Sequence, residues 1–92
     1  MLFVALSRSL VPAAELEPTL SAHLDFMFGL EARGVLFASG PFTDTPGAGM
    51  SIVRAASADD ARAILAADPW IVAGLRAFEL HPWEIKEGTV RA

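Results

Sequence analysis

The chain has 92 residues, 53% of them hydrophobic, a formal net charge of −4 at neutral pH and no cysteine. That length allows a single domain over residues 1–92 with one modest core, and the missing cysteines exclude a disulfide framework, a thiolate nucleophile and a cysteine metal site. Lys86 is the sole lysine and the six arginines are scattered, so nucleic acid is excluded as a partner, because phosphate binding needs a concentrated basic surface.

A small monomer cannot easily hide this much apolar surface, which leaves a membrane or a second subunit to cover it. No apolar run approaches the roughly 20 residues that span a bilayer. Met1 to Leu6 lacks a basic leader and Ser7-Arg8-Ser9 interrupts it, which speaks against a signal peptide. The expectation is a cytoplasmic protein, partnered by itself as a homodimer. With only two histidines, a histidine-rich metal centre is hard to build, and neither a metal nor an organic cofactor is expected.

In chain order, residues 2–8 alternate with a period of two, Leu2, Val4 and Leu6 against Phe3, Ala5 and Ser7, which predicts a strand ended by Pro12. A helical pattern follows from about Ala13 to Arg33, with Leu16, Leu20, Leu24, Met27 and Leu30 recurring at three- and four-residue steps. Pro18 falls inside it, so the continuous helix can start after that residue with Thr19 as its cap, and Gly34 supplies the stop. Val35 to Phe42 reads as the second strand, ending at Gly40-Pro41. Thr43 to Gly49 is a turn-rich connection, and Met50 to Ala55 the third strand. Ser57 opens a second helix, with Asp60 in the capping-box position and Ala61, Ile64 and Leu65 as its buried stripe. Asp68-Pro69 ends it, since the residue before proline is pushed out of helical geometry. Trp70 to Gly74 forms one more short turn. Leu75 to Ile85 is the last strand, with Phe78 and Leu80 on one face, and Pro82 implies that it runs at an edge or ends in a bulge.

The order β-α-β-β-α-β with right-handed crossovers predicts an α+β ferredoxin-like plait: a four-stranded antiparallel sheet with both helices on one face. The strands are apolar on their other face too. The residues after Gly88 are too few to cover it, so two sheets are expected to pack face to face.

Two polar residues sit on apolar helix faces. His23 lies at i+7, i+3, i−4 and i−7 from Leu16, Leu20, Met27 and Leu30, and Asp68 at i+7, i+4 and i+3 from Ala61, Ile64 and Leu65. A carboxylate at a helix C-terminus is disfavoured by about 0.3–1 kcal/mol, and an imidazole partner would compensate. Measured from Ala13 and Ser57, the two residues stand at nearly equal heights, roughly 15 and 16 Å along parallel helices. Two readings stay open at this point. Either His23 is a core histidine bonded to backbone and Asp68 caps the next turn, or Asp68 orients the His23 ring for proton transfer. Ser39, at the end of the second strand, could bind a substrate oxygen or simply the backbone. Trp70 and Trp83 read first as packing residues. Arg33 is explained by the helix dipole, and His81 by a place at the surface.

The strings HLDFMFGLEARGVLFASGPF (23–42), SADDARAILAADPWIVAGL (57–75) and HPW (81–83) resemble the YciI-like, YCII-related family over nearly the whole chain. That family is similar in fold to muconolactone isomerase and other dimeric α/β-barrel proteins, and at least one relative is a dehydrochlorinase acting on a chlorinated hydroxyquinol. The resemblance implies that His23 and Asp68 form its proposed histidine–aspartate active site. The expected function is a small cofactor-independent lyase or isomerase moving a proton next to a carbonyl or phenolic oxygen. Its pocket is expected between helices and sheet, bounded by Ser39 and lined by Phe42, Met27 and Trp70. The alternative is a non-catalytic ligand-binding or dimeric interaction module, because a fold does not fix a function.

Overall fold

Alternating apolar residues pair into one sheet in the computed structural model, which describes residues 1–90. Its strands are β1 (Leu2–Ser9), β2 (Leu36–Pro41), β3 (Gly49–Arg54) and β4 (Arg76–Trp83), in the order β2-β3-β1-β4 with every pair antiparallel. With α1 (Leu20–Ala32) and α2 (Ala58–Ala66) in the crossovers, this is the ferredoxin-like plait expected from the pattern. Pro82 lies in the edge strand β4, opposite Phe3 of β1, where the missing N–H interrupts the fewest ladder bonds.

The core forms where the period of the strands meets that of the helices. Phe3, Ala5 and Val53 project from one face of the sheet and pack with Ala61 and Leu65 of α2, with Phe78 and Leu80 beside them. Phe3, Val53 and Ala61 are essentially sealed from solvent. Ser57 caps α2, its Oγ accepting the Asp60 N–H at 3.1 Å. Gly34 ends α1 with φ +73°, and the Val35 N–H closes back on the Leu30 carbonyl at 2.9 Å. That left-handed turn strains a residue with a Cβ, which is why glycine stands there.

The helix start after Pro18 and the short turn beyond Asp68 form as expected, while local details differ. Ala13–Thr19, which contains Pro18, winds as a 3-10 helix, and α1 starts at Leu20. Thr19 precedes α1 without a side-chain capping bond; its Oγ1 reaches the Leu16 carbonyl instead, at 3.4 Å. The buried face of α1 is His23, Met27 and Leu30, while Leu24 is 39% exposed. The second helix ends at Ala66, and a separate one-turn helix, α3 (Pro69–Val72), follows Asp68.

A bulge sets the faces of β2. Leu36 and Ala38 stand opposite Val53 and Ile52, which are consecutive, so Phe37 is an extra residue in the strand. The Arg54 guanidinium lies 5.1 Å from the centre of the Phe37 ring. Beyond the bulge the alternation is inverted: Ser39 pairs with Ser51 and shares its face, and their hydroxyls are 3.3 Å apart.

On the face turned away from the helices, Leu6 pairs with Met50 and Val4 with Ile52. Leu6 and Met50 are exposed, whereas Leu2 and Ile52 are buried. Residues Glu84 to Gly88, following β4, border a depression together with Met1, Leu2 and Arg54. Of the C-terminal residues expected to be too short to cover the sheet, Arg91 and Ala92 lie outside the described residues. Among the described residues no helix is long and apolar enough to cross a membrane.

Candidate active site

Asp68 occupies a break in the chain. Its N–H still bonds to the Leu65 carbonyl of α2 at 3.1 Å, but its backbone is extended (φ −57°, ψ 128°), as a residue before proline prefers. The carboxylate is therefore not a charge stranded at a helix C-terminus. It is the N-cap of α3, with Oδ1 accepting the Trp70 N–H at 2.9 Å. The same carboxylate meets His23, whose Nδ1 is 2.8 Å from Oδ2 and 3.0 Å from Oδ1. Both readings of Asp68 thus coexist in one side chain, a cap and an imidazole partner.

Equal helix heights do not produce this contact. His23 is three residues beyond the start of α1, about 4.5 Å along its axis, while Asp68 is ten beyond the start of α2, roughly 15 Å. The two meet because the chain leaves α2 at Asp68-Pro69 and lays α3 against α1.

The imidazole is held in two directions. Asp68 takes its Nδ1 edge, and the Trp70 ring stacks on its face with centroids 3.8 Å apart and planes 10° from parallel. Trp70 is itself anchored by Nε1, which donates to the Leu16 carbonyl at 3.1 Å. All three side chains are buried. An ionised carboxylate only accepts, so against one Nδ1 is the donor, and Nε2 has no hydrogen-bond partner among the described residues.

His23, Asp68 and Trp70 border a cavity of about 540 Å³ between α1, the 3-10 helix and the sheet. Met27 and Ser39 also line it, the latter at its exposed margin beside Ser51. Leu24 and Phe28, both exposed, extend the apolar lining outward. Phe42 is not part of the cavity wall. It is 41% exposed, one residue past Pro41, and the bulge at Phe37 gives it the parity of the opposite face. The inversion that turns Ser39 toward the cavity turns Phe42 away. His81 is on the far face, Nε2 3.1 Å from Glu79 Oε2, and Trp83 is 45% exposed at the end of β4.

Sequence reasoning missed Arg76. It opens β4 on the face of Phe78 and Leu80, lines the cavity, and lies 5.1 Å from the centre of the Trp70 ring. Its Nε is buried without an acceptor. Burial pushes the guanidinium pKa below its ordinary value, and the nearby Asp68 charge pulls it back up. The signal was available: two steps back from Phe78 along an alternating strand place Arg76 on the inward face. Among the described residues no group of three histidine, aspartate or glutamate side chains could hold a metal ion.

A ferredoxin-like α+β protein with an inward-facing histidine–aspartate pair beside an apolar cavity is the class that this fold and site define. The chain belongs to the YCII-related domain family, whose model matches residues 1–84. Among solved structures, it is similar to 5-chloro-2-hydroxyhydroquinone dehydrochlorinase (TftG) from Burkholderia phenoliruptrix, in complex with 2,5-dihydroxybenzoquinone. That match has 22% identity and a TM-score of 0.77, covering 91% of this chain and 94% of the other. It is also similar to SnoaB, a cofactor-independent oxygenase from Streptomyces nogalater, at 18% identity and TM-score 0.53, covering 95% and 93%. An antibiotic biosynthesis monooxygenase matches at 14% identity and TM-score 0.56, covering 92% and 100%. At these identities the likeness establishes the fold. No curated protein matches the sequence.

Proposed function

We propose that the cavity is the active site of a small cofactor-independent lyase or isomerase, in which His23 moves a proton at a carbon next to a carbonyl or phenolic oxygen. The observation that carries this reading is the state of the imidazole. Its Nδ1 is held by Asp68 and its face by Trp70, while Nε2 has no partner among the described residues and belongs to a side chain that lines the cavity. Such a ring is oriented before any substrate arrives, and its free nitrogen can accept a proton. Once it does, the Asp68 carboxylate and the stacked indole both favour the cationic ring. Met27, Trp70 and the apolar outer wall would hold an aromatic or unsaturated body, and Ser39 would bind one of its oxygens. The dehydrochlorinase with its bound dihydroxybenzoquinone makes hydroxylated aromatics the first compounds to test.

The experiment is a thermal-shift screen of phenols, hydroxyquinones and keto acids. Hits are then followed by NMR for exchange of substrate carbon-bound hydrogen with deuterated solvent. His23→Asn keeps an N–H where Nδ1 stands and deletes Nε2, so it should stay folded and lose the exchange. Exchange that persists in a folded His23→Asn protein would refute the reading.

The protein also acts, in this proposal, as a cytoplasmic homodimer joined through the outer sheet face. Support comes from exposed Leu6 and Met50, paired on a face that no helix covers. The cysteine-free composition suits a reducing compartment.

A further inference from the structure

Within the cavity, one charged group has no role in the proton-transfer reading. Arg76 sits at the start of β4 with its guanidinium over Trp70, the same indole that stacks on His23. It is the sole cationic arginine or lysine among the residues lining the cavity. Its Nε is buried without an acceptor, and it forms no ion pair among the described residues. Asp68 is near enough to be felt electrostatically, but its oxygens are engaged by the Trp70 N–H and His23 Nδ1. A guanidinium stays charged at neutral pH, and half-burying it beside a carboxylate whose oxygens are already engaged leaves its desolvation only partly offset. Something anionic would relieve it.

The backbone opposite makes room for this group. Gly49 of β3 is buried, and a Cβ there would lie 3.3 Å from Arg76 Nη2 and 2.7 Å from the Gly40 carbonyl. The absence of a side chain at 49 thus serves the β2–β3 pairing and the arginine together. The hydroxyls of Ser7, Ser39 and Ser51 line the same cavity. Glu17 and Glu31 are the remaining carboxylates of the lining, and both are exposed, where water and salt screen them.

We propose that Arg76 is the anion receptor of the cavity, and that the substrate is a small planar carboxylate, or the vinylogous acid of a hydroxyquinone, held by Arg76 with its reacting carbon presented to His23. This rests on reading the cavity as a proton-transfer site and adds the charge of the substrate to it. The shared contact with Trp70 keeps the charged end of such a molecule within one indole of the imidazole. A planar guanidinium suits a pair of anionic oxygens, where an ammonium would act only as a point charge.

Two nearly isosteric probes test it: 2,5-dihydroxybenzoate and 2,5-dihydroxybenzamide, titrated calorimetrically against the full chain. The acid should bind at least about tenfold more tightly than the amide, about 1.4 kcal/mol. In Arg76→Gln the preference should fall to within about twofold, and in Arg76→Lys it should be intermediate. Equal affinities in the unmodified protein overturn the proposal, as does the absence of saturable acid binding at millimolar concentration. A preference that survives in Arg76→Gln also overturns it. Should Arg76→Gln fail to fold, the acid–amide comparison on the unmodified protein and on Arg76→Lys still decides. His23→Asn separates the two readings. If it leaves both the acid preference and hydrogen exchange intact, the proton-transfer reading fails while the anion receptor stands. If it abolishes exchange while Arg76→Gln leaves the preference unchanged, the reverse holds.

Discussion

Replacing Asp68 by asparagine changes one atom type and reverses the logic of the site. The carboxylate now accepts twice, from the Trp70 N–H at 2.9 Å and from His23 Nδ1 at 2.8 Å. Asparagine offers one oxygen. If that oxygen keeps capping α3, the amide NH2 faces Nδ1, which must then become an acceptor, and the ring proton moves to Nε2. A charge-assisted hydrogen bond of about 1.5–3 kcal/mol becomes a neutral one of about 0.5–1.5, so Asp68→Asn should destabilise by about 1–2 kcal/mol. Asp68→Ala loses the cap, about 1 kcal/mol, and leaves a buried imidazole N–H unpaired, about 1–3 kcal/mol, a combined loss of about 2–4 kcal/mol. Denaturant unfolding at a fixed protein concentration reads the energies, and ¹⁵N NMR of the imidazole reads the tautomer. The expected result is Nδ1–H in the unmodified protein and Nε2–H in Asp68→Asn. An unchanged tautomer, or an Asp68→Ala protein as stable as Asp68→Asn, would refute the reasoning.

Three further outcomes follow from single contacts. Ser57→Ala removes the Asp60 N–H acceptor at the start of α2 and should cost about 1 kcal/mol; because Ser57 lies outside the cavity wall, ligand binding measured by calorimetry should not change. Gly49→Ala drives a methyl group to 2.7 Å from the Gly40 carbonyl and 3.2 Å from Pro41 Cα, both rigid backbone. Thermal unfolding should show a loss of about 1–3 kcal/mol. Leu6→Lys places a charge at the centre of the exposed outer face, opposite Met50. Size-exclusion chromatography with light scattering should give a dimer before the change and a monomer after it, at nearly unaltered secondary structure.

Much of this molecule is legible along the chain because strand and helix periods are local properties. The alternation of Leu2–Ser7, the Ser57 cap and the Gly34 stop each depend on a few neighbouring residues, and together they dictate a ferredoxin-like plait. Helix phase alone placed His23 and Asp68 on buried faces. Only the tertiary structure decided how they meet, because that depends on a break, not a period: Asp68 ends one helix and starts another, and α3 then carries Trp70 onto the imidazole. A one-residue bulge decided Ser39 and Phe42 in the same way. Alternation is exact only while pairing is regular, and the extra residue at Phe37 reverses every side chain after it. Arg76 is the intermediate case: its inward parity could be read from Phe78, but its unpaired Nε could not. Whether a half-buried guanidinium nitrogen has an acceptor is settled by what the rest of the fold brings to it, and among the described residues Arg76 Nε meets none.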